Sequence, residues 1–151
     1  MTPASHFLMP SLARLLAALV AAVMLLAPAH AATLSAADEK SVHAVVQGQL
    51  TALARDDASK AFSYAAPNVR QAVGTAAGFM ALVRRSYPAI YRPASVAFLR
   101  PESKDGQVIQ RVQMRDERGD EWLATYSLQR QKDKAWRITG CLVVRNKGRM
   151  A

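Results

Sequence analysis

The stretch K-A-W-R-I-T-G-C-L-V-V-R-N-K, Lys134 to Lys147, decides the fold. It alternates for several residues and then turns continuously apolar. That is the pattern of a strand flanked on both sides by sheet, with one face on a core. The alternation puts Ile138, Gly140, Leu142 and Val144 on the inner side, and Arg137, Thr139 and Arg145 on the other. Upstream, Glu121 to Arg130 alternates in the same way, with Trp122, Ala124, Tyr126 and Leu128 on one side. Before it, Gln107 to Arg115 sets Val108, Gln110, Val112 and Met114 against polar neighbours, and Ser95 to Arg100 forms a first, shorter strand. Asp105-Gly106, Asp116 to Asp120 and Gln131 to Lys134 supply the turns. Four antiparallel strands in a meander follow from this spacing.

N-terminal to the strands the period changes to that of a helix. Ser35-Ala36-Ala37-Asp38 fits a capping box, and Val42, Val45, Val46, Gln49, Leu50 and Leu53 share one face of a helix running to about Arg55. One of Asp56 and Asp57 caps a short second helix that Pro67 ends. Pro67 to Arg70 reads as a tight turn or a single helical turn. Ala76, Phe79, Met80, Val83 and Tyr87 mark a third helix, and Pro88 to Pro93 reads as an extended link. The expected class is α+β: three N-terminal helices packed on a curved four-stranded antiparallel sheet.

The first 31 residues carry the three regions of a secretory signal peptide: a short leader with Arg14, the apolar run Leu15 to Ala27, and the small-residue exit Ala29-His30-Ala31. The run is shorter than the roughly 20 residues that span a bilayer. Cleavage after about Ala31 leaves 120 of the 151 residues as a single domain, with no transmembrane span and a periplasmic or secreted destination. Only one fixed cation leaves with the leader, so the net charge of +9 falls to +8. A basic exported domain suits anionic partners, such as an envelope component, an acidic glycan or an acidic protein, better than nucleic acid. Cys141 is the only cysteine, which rules out an internal disulfide and leaves a small buried hydrophobe.

The segments Q-L-T-A-L-A-R-D-D-A-S-K-A-F-S-Y-A-A-P-N-V-R (49–70), G-F-M-A-L-V-R-R-S-Y-P (78–88), Y-R-P-A-S-V-A-F (91–98) and W-R-I-T-G-C (136–141) resemble a bacterial family of exported domains of unknown function, DUF4864. The resemblance covers nearly all of the chain beyond the leader. It implies a plan similar to the NTF2-like, or cystatin-like, cone, in which helices and a curved sheet enclose a pocket. It brings no catalytic residue with it.

The residues themselves limit the chemistry. Beyond the leader there is one histidine, His43, beside one cysteine, so no zinc cluster can be built and no metal or other cofactor is expected. No carboxylate falls on an inward strand position, which removes the obvious base of an isomerase-like pocket. No catalytic residue is assigned. A small amphiphilic ligand would meet Tyr126 and Gln110 inside the pocket, and Tyr64, Arg70, Tyr87 and Tyr91 near its mouth. Arg70 could also pair with Asp56 or Asp57. On the opposite sheet face, Arg111, Arg115, Arg137 and Arg145 would form a basic stripe able to dock an anionic surface, a protein partner or a second subunit. The expectation is a non-enzymatic exported binding or interaction domain. The alternative is a pocket isomerase or hydrolase using Tyr126 or Asp57.

Overall fold

A computed structural model describes residues 33–148. The segment read as a signal peptide lies outside the described residues. The chain runs as five helices and then five strands: α1 (Ala36–Ala54), α2 (Ala58–Ser63), α3 (Pro67–Val73), α4 (Ala76–Ser86), α5 (Pro88–Tyr91), β1 (Ser95–Phe98), β2 (Glu102–Lys104), β3 (Gln107–Arg115), β4 (Glu121–Arg130) and β5 (Trp136–Arg145). The class is α+β, with the helices N-terminal and the sheet antiparallel.

Local chemistry starts the main helices where the sequence marks them. Ser35 accepts from the Asp38 amide, Asp57 from the Lys60 amide and Thr75 from the Gly78 amide, each satisfying a donor that the first turn leaves free. Two helices differ from expectation. Pro67–Val73 is two turns rather than a tight turn or a single helical turn over 67–70, and Pro88–Tyr91 is a helical turn rather than an extended link. The cause is the same in both: proline stands at the first helical position, where its missing N–H has no partner to lose and its fixed φ suits the helix. Gly74, at φ 92, then ends α3 in a conformation that glycine adopts without strain.

The sheet order is β1-β3-β4-β5, with β2 also pairing β3. The expected single strand from Ser95 to Arg100 is thus two short ones on the same edge of β3: β1 opposite 112–115 and β2 opposite 107–109. Pro101, which has no N–H for a ladder, sits at the break. Gln110 closes the gap, its side-chain nitrogen donating to the Leu99 carbonyl at 2.6 Å and the Arg111 carbonyl at 2.9 Å.

β5 departs further from expectation. It is an edge strand, not a strand with sheet on both sides. Its ladder with β4 pairs Leu128 with Ile138 but Ser127 with Gly140, so Thr139 is an extra residue in a β-bulge. An extra residue reverses which face each later side chain meets. Cys141 and Val143 therefore turn inward, opposite Tyr126 and Ala124, and pack on the core. Leu142 and Val144, expected inside, are 63% and 44% exposed on the outer face. Arg145 moves to the inner side, opposite Trp122, with its guanidinium over the indole. The continuous apolar run thus follows the bulge and supplies both faces, Cys141 and Val143 inward and Leu142 and Val144 outward.

The core lies between the inner sheet face and the helices. Val42, Val46, Leu50 and Leu53 of α1 and Phe79, Met80 and Val83 of α4 pack with Val108, Val112, Met114, Ala124, Tyr126, Leu128 and Ile138 of the sheet. Burying a side chain such as Leu53 contributes about 2 kcal/mol. The α2–α3 link is sewn to β5: Ile138 donates to the Tyr64 carbonyl, Ala66 donates to the Ile138 carbonyl, and the Asn68 amide donates to the Thr139 carbonyl at 3.1 Å.

Candidate functional site: an apolar cavity floored by Tyr126

A cavity of about 140 Å³ lies where the helices leave the sheet incompletely covered. Helix α3 contributes Val69 and Val73, one turn apart on one face; α4 contributes Phe79, Leu82 and Val83; Tyr87 and Ile90 close one side, and Gln49 and Leu53 of α1 another. Tyr126, Ile138, Gly140 and Cys141 make the floor. The Gln49 side chain already donates to the Ala61 carbonyl at 3.2 Å.

Tyr126, like Gln110, is an exception to the rule that buried polar groups are paired. The residue is 1% exposed and its hydroxyl has no hydrogen-bond partner. Leaving such a group unpaired costs about 1–3 kcal/mol. Its cross-strand neighbour is Cys141, whose thiol is buried although the residue as a whole keeps some exposure. No hydrogen bond of ordinary geometry joins the two. Burial, and secondarily Cys141, pushes the Tyr126 hydroxyl well above its ordinary value. Burial pushes the Cys141 thiol up to about 12. Both groups are therefore neutral near pH 7. The polar residues of the lining are Gln49, Tyr87, Tyr126 and Cys141, and the rest of the lining is apolar.

Of the six residues expected to contact a ligand, Tyr126 and Tyr87 line this cavity. Tyr64 instead packs on α1 at Gly48, where a Cβ would collide with its ring. Tyr91 donates to Asp56, and the guanidiniums of Arg84 and Arg92 lie over its ring at 5.2 and 4.7 Å. Gln110 is fully buried at the β1–β2 break, where its side-chain oxygen has no partner. Arg70 lies over the Phe62 ring, 5.5 Å from its centroid, beside a separate shallow groove. It pairs with neither aspartate: Asp57 caps α2, and Asp56 binds Arg84 and Arg92. Those contacts hold the Asp56 carboxyl below the usual range, the Tyr91 and Arg84 hydrogen bonds being the main causes. His43 stacks on Phe98 with ring centroids 4.0 Å apart. The missed residues are Val69, Val73 and Leu82. The first two carried a readable signal, an i, i+4 apolar pair directly after a helix-starting proline.

The four arginines of the expected basic stripe are not equivalent. Arg111 pairs with Glu102 at 3.0 Å and Arg115 with Glu121 at 2.8 Å. Arg145 pairs with Asp120 at 3.1 Å and lies on the inner side. Arg137, on the outer face, meets no carboxylate among the described residues and donates to the Trp136 carbonyl. Among the described residues, no three of His, Cys, Asp and Glu gather as a metal site, and no helix is long and apolar enough to cross a membrane.

Helices on one face of an antiparallel sheet, enclosing an apolar cavity, define an α+β domain with an internal pocket. The family model for a domain of unknown function, DUF4864, matches residues 35–151, and the chain belongs to that family. No curated protein and no solved structure matches the chain.

Proposed function

We propose that this domain is an exported, non-enzymatic carrier or sensor of a small, mostly apolar molecule bearing one hydrogen-bonding oxygen. The observation that carries this reading is the buried, unpartnered hydroxyl of Tyr126, a floor residue of a mostly apolar cavity. A ligand oxygen would relieve its desolvation cost, and a hydrocarbon body would fill the rest. The volume of about 140 Å³ is close to that of cavities that hold a benzene-sized guest. The export reading rests on the leader sequence, and the cone-like, NTF2-like plan on the family resemblance, with which the helices-then-strands order agrees. The enzymatic alternative is less favoured. Asp57 is engaged as a helix cap, and neither Tyr126 nor Cys141 ionises readily enough to serve as a base at neutral pH.

The test compares cyclohexanone with cyclohexane as guests, followed by amide chemical shifts. The ketone should bind more tightly by about five- to tenfold, the worth of one hydrogen bond. Tyr126→Phe should abolish that preference without unfolding the protein. Absence of binding by either guest, or a ketone preference unchanged in Tyr126→Phe, refutes the reading.

A further inference from the structure

A second depression opens on the other side of the sheet, and its chemistry is the reverse of the cavity's. It is an open groove of about 530 Å³, within the range of small-molecule sites. Six uncharged hydrogen-bonding side chains line it: Asn68 of α3, Gln107 of β3, Ser127 and Gln129 of β4, Gln131 of the following turn, and Thr139 of β5. The bulge shapes it. Thr139 is the extra residue, its hydroxyl donating to the Ser127 carbonyl at 3.1 Å, and Gly140 beside it adds no side chain to the floor. Bulges are common where a strand must re-aim side chains at a site.

Two cations stand one ladder place beyond the lining residues Gln107 and Gln129. Lys104 pairs across the ladder with Gln107, and Arg137 with Gln129; Gln107 and Gln129 each lie one residue beyond the Val108–Leu128 pair. The outer face therefore carries a single cross-strand row, Lys104, Gln107, Gln129, Arg137, over three strand spacings or roughly 14 Å. Neither Lys104 nor Arg137 is paired with a carboxylate among the described residues, whereas Arg111 and Arg115 on the same face are. No acidic side chain lines the groove.

From this row we infer that the groove binds an acidic glycan, a chain of uronic-acid sugars. Its hydroxyls would meet the amides and hydroxyls of the groove, and its carboxylates would meet Lys104 and Arg137. Other anionic partners fit less well. The groove has no aromatic side chain on which a nucleic-acid base could stack. It has no aromatic anchor of the kind that centres a protein interface. Two cations spaced along one cross-strand row are not the basic cluster that holds a protein to an anionic membrane.

The site is independent of the ligand in the Tyr126 cavity, and its test does not involve that ligand. Full-length mature protein is titrated with hexagalacturonate and, separately, maltohexaose, followed by calorimetry and by the amide shifts of Gln107, Ser127 and Thr139. The acidic hexamer should bind at least about tenfold more tightly, since charge-assisted hydrogen bonds exceed neutral ones. The double variant Lys104→Gln/Arg137→Gln should lose about tenfold, and Gln107→Ala/Gln129→Ala about fivefold, the scale of one or two surface contacts. A remote charge-matched control, Arg55→Gln/Arg118→Gln, at the other end of β3, should change affinity less than about twofold. Equal binding of maltohexaose, equal loss in the remote control, no effect of the glutamine pair, or equally tight binding to phosphatidylglycerol vesicles would each overturn the inference, as would no saturable binding.

Discussion

The two sides of β5 make different use of polar groups. On the inner side one hydroxyl, that of Tyr126, stands unpaired beside hydrocarbon. On the outer side six uncharged polar side chains line an open groove. Gly140 lines both. The comparison separates number from consequence. A polar group in water gains little from a partner, because it exchanges one hydrogen bond for another, whereas a buried one carries its full desolvation cost until a partner arrives. One atom inside can thus select a ligand as sharply as a row of side chains outside. The inner side should be sensitive to single changes and the outer side tolerant of them.

The largest expected difference is chemical. With its thiol pushed up to about 12, Cys141 should react with a soluble disulfide reagent at pH 8 about a thousandfold more slowly in the folded protein than in urea. Comparable rates would show that the inner side is wet. Next comes packing. Leu128→Ala, at a fully buried inward position, should lower unfolding free energy by about 2–5 kcal/mol in urea titrations. A loss under about 1 kcal/mol would mean that the core collapses around the gap.

A smaller effect concerns the exposed cluster that joins the end of α1 to α4 and α5. The folded protein holds the Asp56 carboxyl below its unfolded value of about 3.9. Its contribution is therefore present above that value and is lost as pH falls through the lower folded one. Asp56→Asn should be less stable than the parent at pH 6, with the gap closing below about pH 4. A gap that is constant with pH would show that the carboxylate's charge is not what counts. The smallest effect should come from the outer face: Leu142→Ser, at 63% exposure, should alter stability by less than about 0.5 kcal/mol. A larger loss would mean that something covers Leu142 in solution.

Period and turn chemistry made most of the fold legible. The inward residues of β3 and β4 are those that alternation predicts, and Ser35 caps α1 as its capping box implies. Features set by a single residue's tertiary contacts were not legible. Nothing in S-V-A-F-L-R announces that Gln110, eleven residues beyond Leu99, will bind its carbonyl and divide the strand. At the candidate sites, Tyr126 could be found because an inward tyrosine must place a hydroxyl somewhere. The cavity itself could not, because a void records what packing fails to fill. Alternation placed Arg111, Arg115 and Arg137 on the outer face, but it is blind to the loop and strand-end acids that neutralise the first two.

The bulge at Thr139 has a consequence for how β5 keeps its place. After it come Cys141, Leu142, Val143 and Val144, apolar whichever way the strand faces. Their chemistry is nearly indifferent to a slip by one residue, a shift that most half-buried strands resist by exchanging polar for apolar. The frame must then be held from outside the sheet. The backbone contacts of Tyr64 and Ala66 with Ile138, and the Asn68 amide on the Thr139 carbonyl, act as a pawl on a ratchet. The start of α3 and the link before it, more than 70 residues earlier in the chain, determine which half of an ambiguous sentence is read inward.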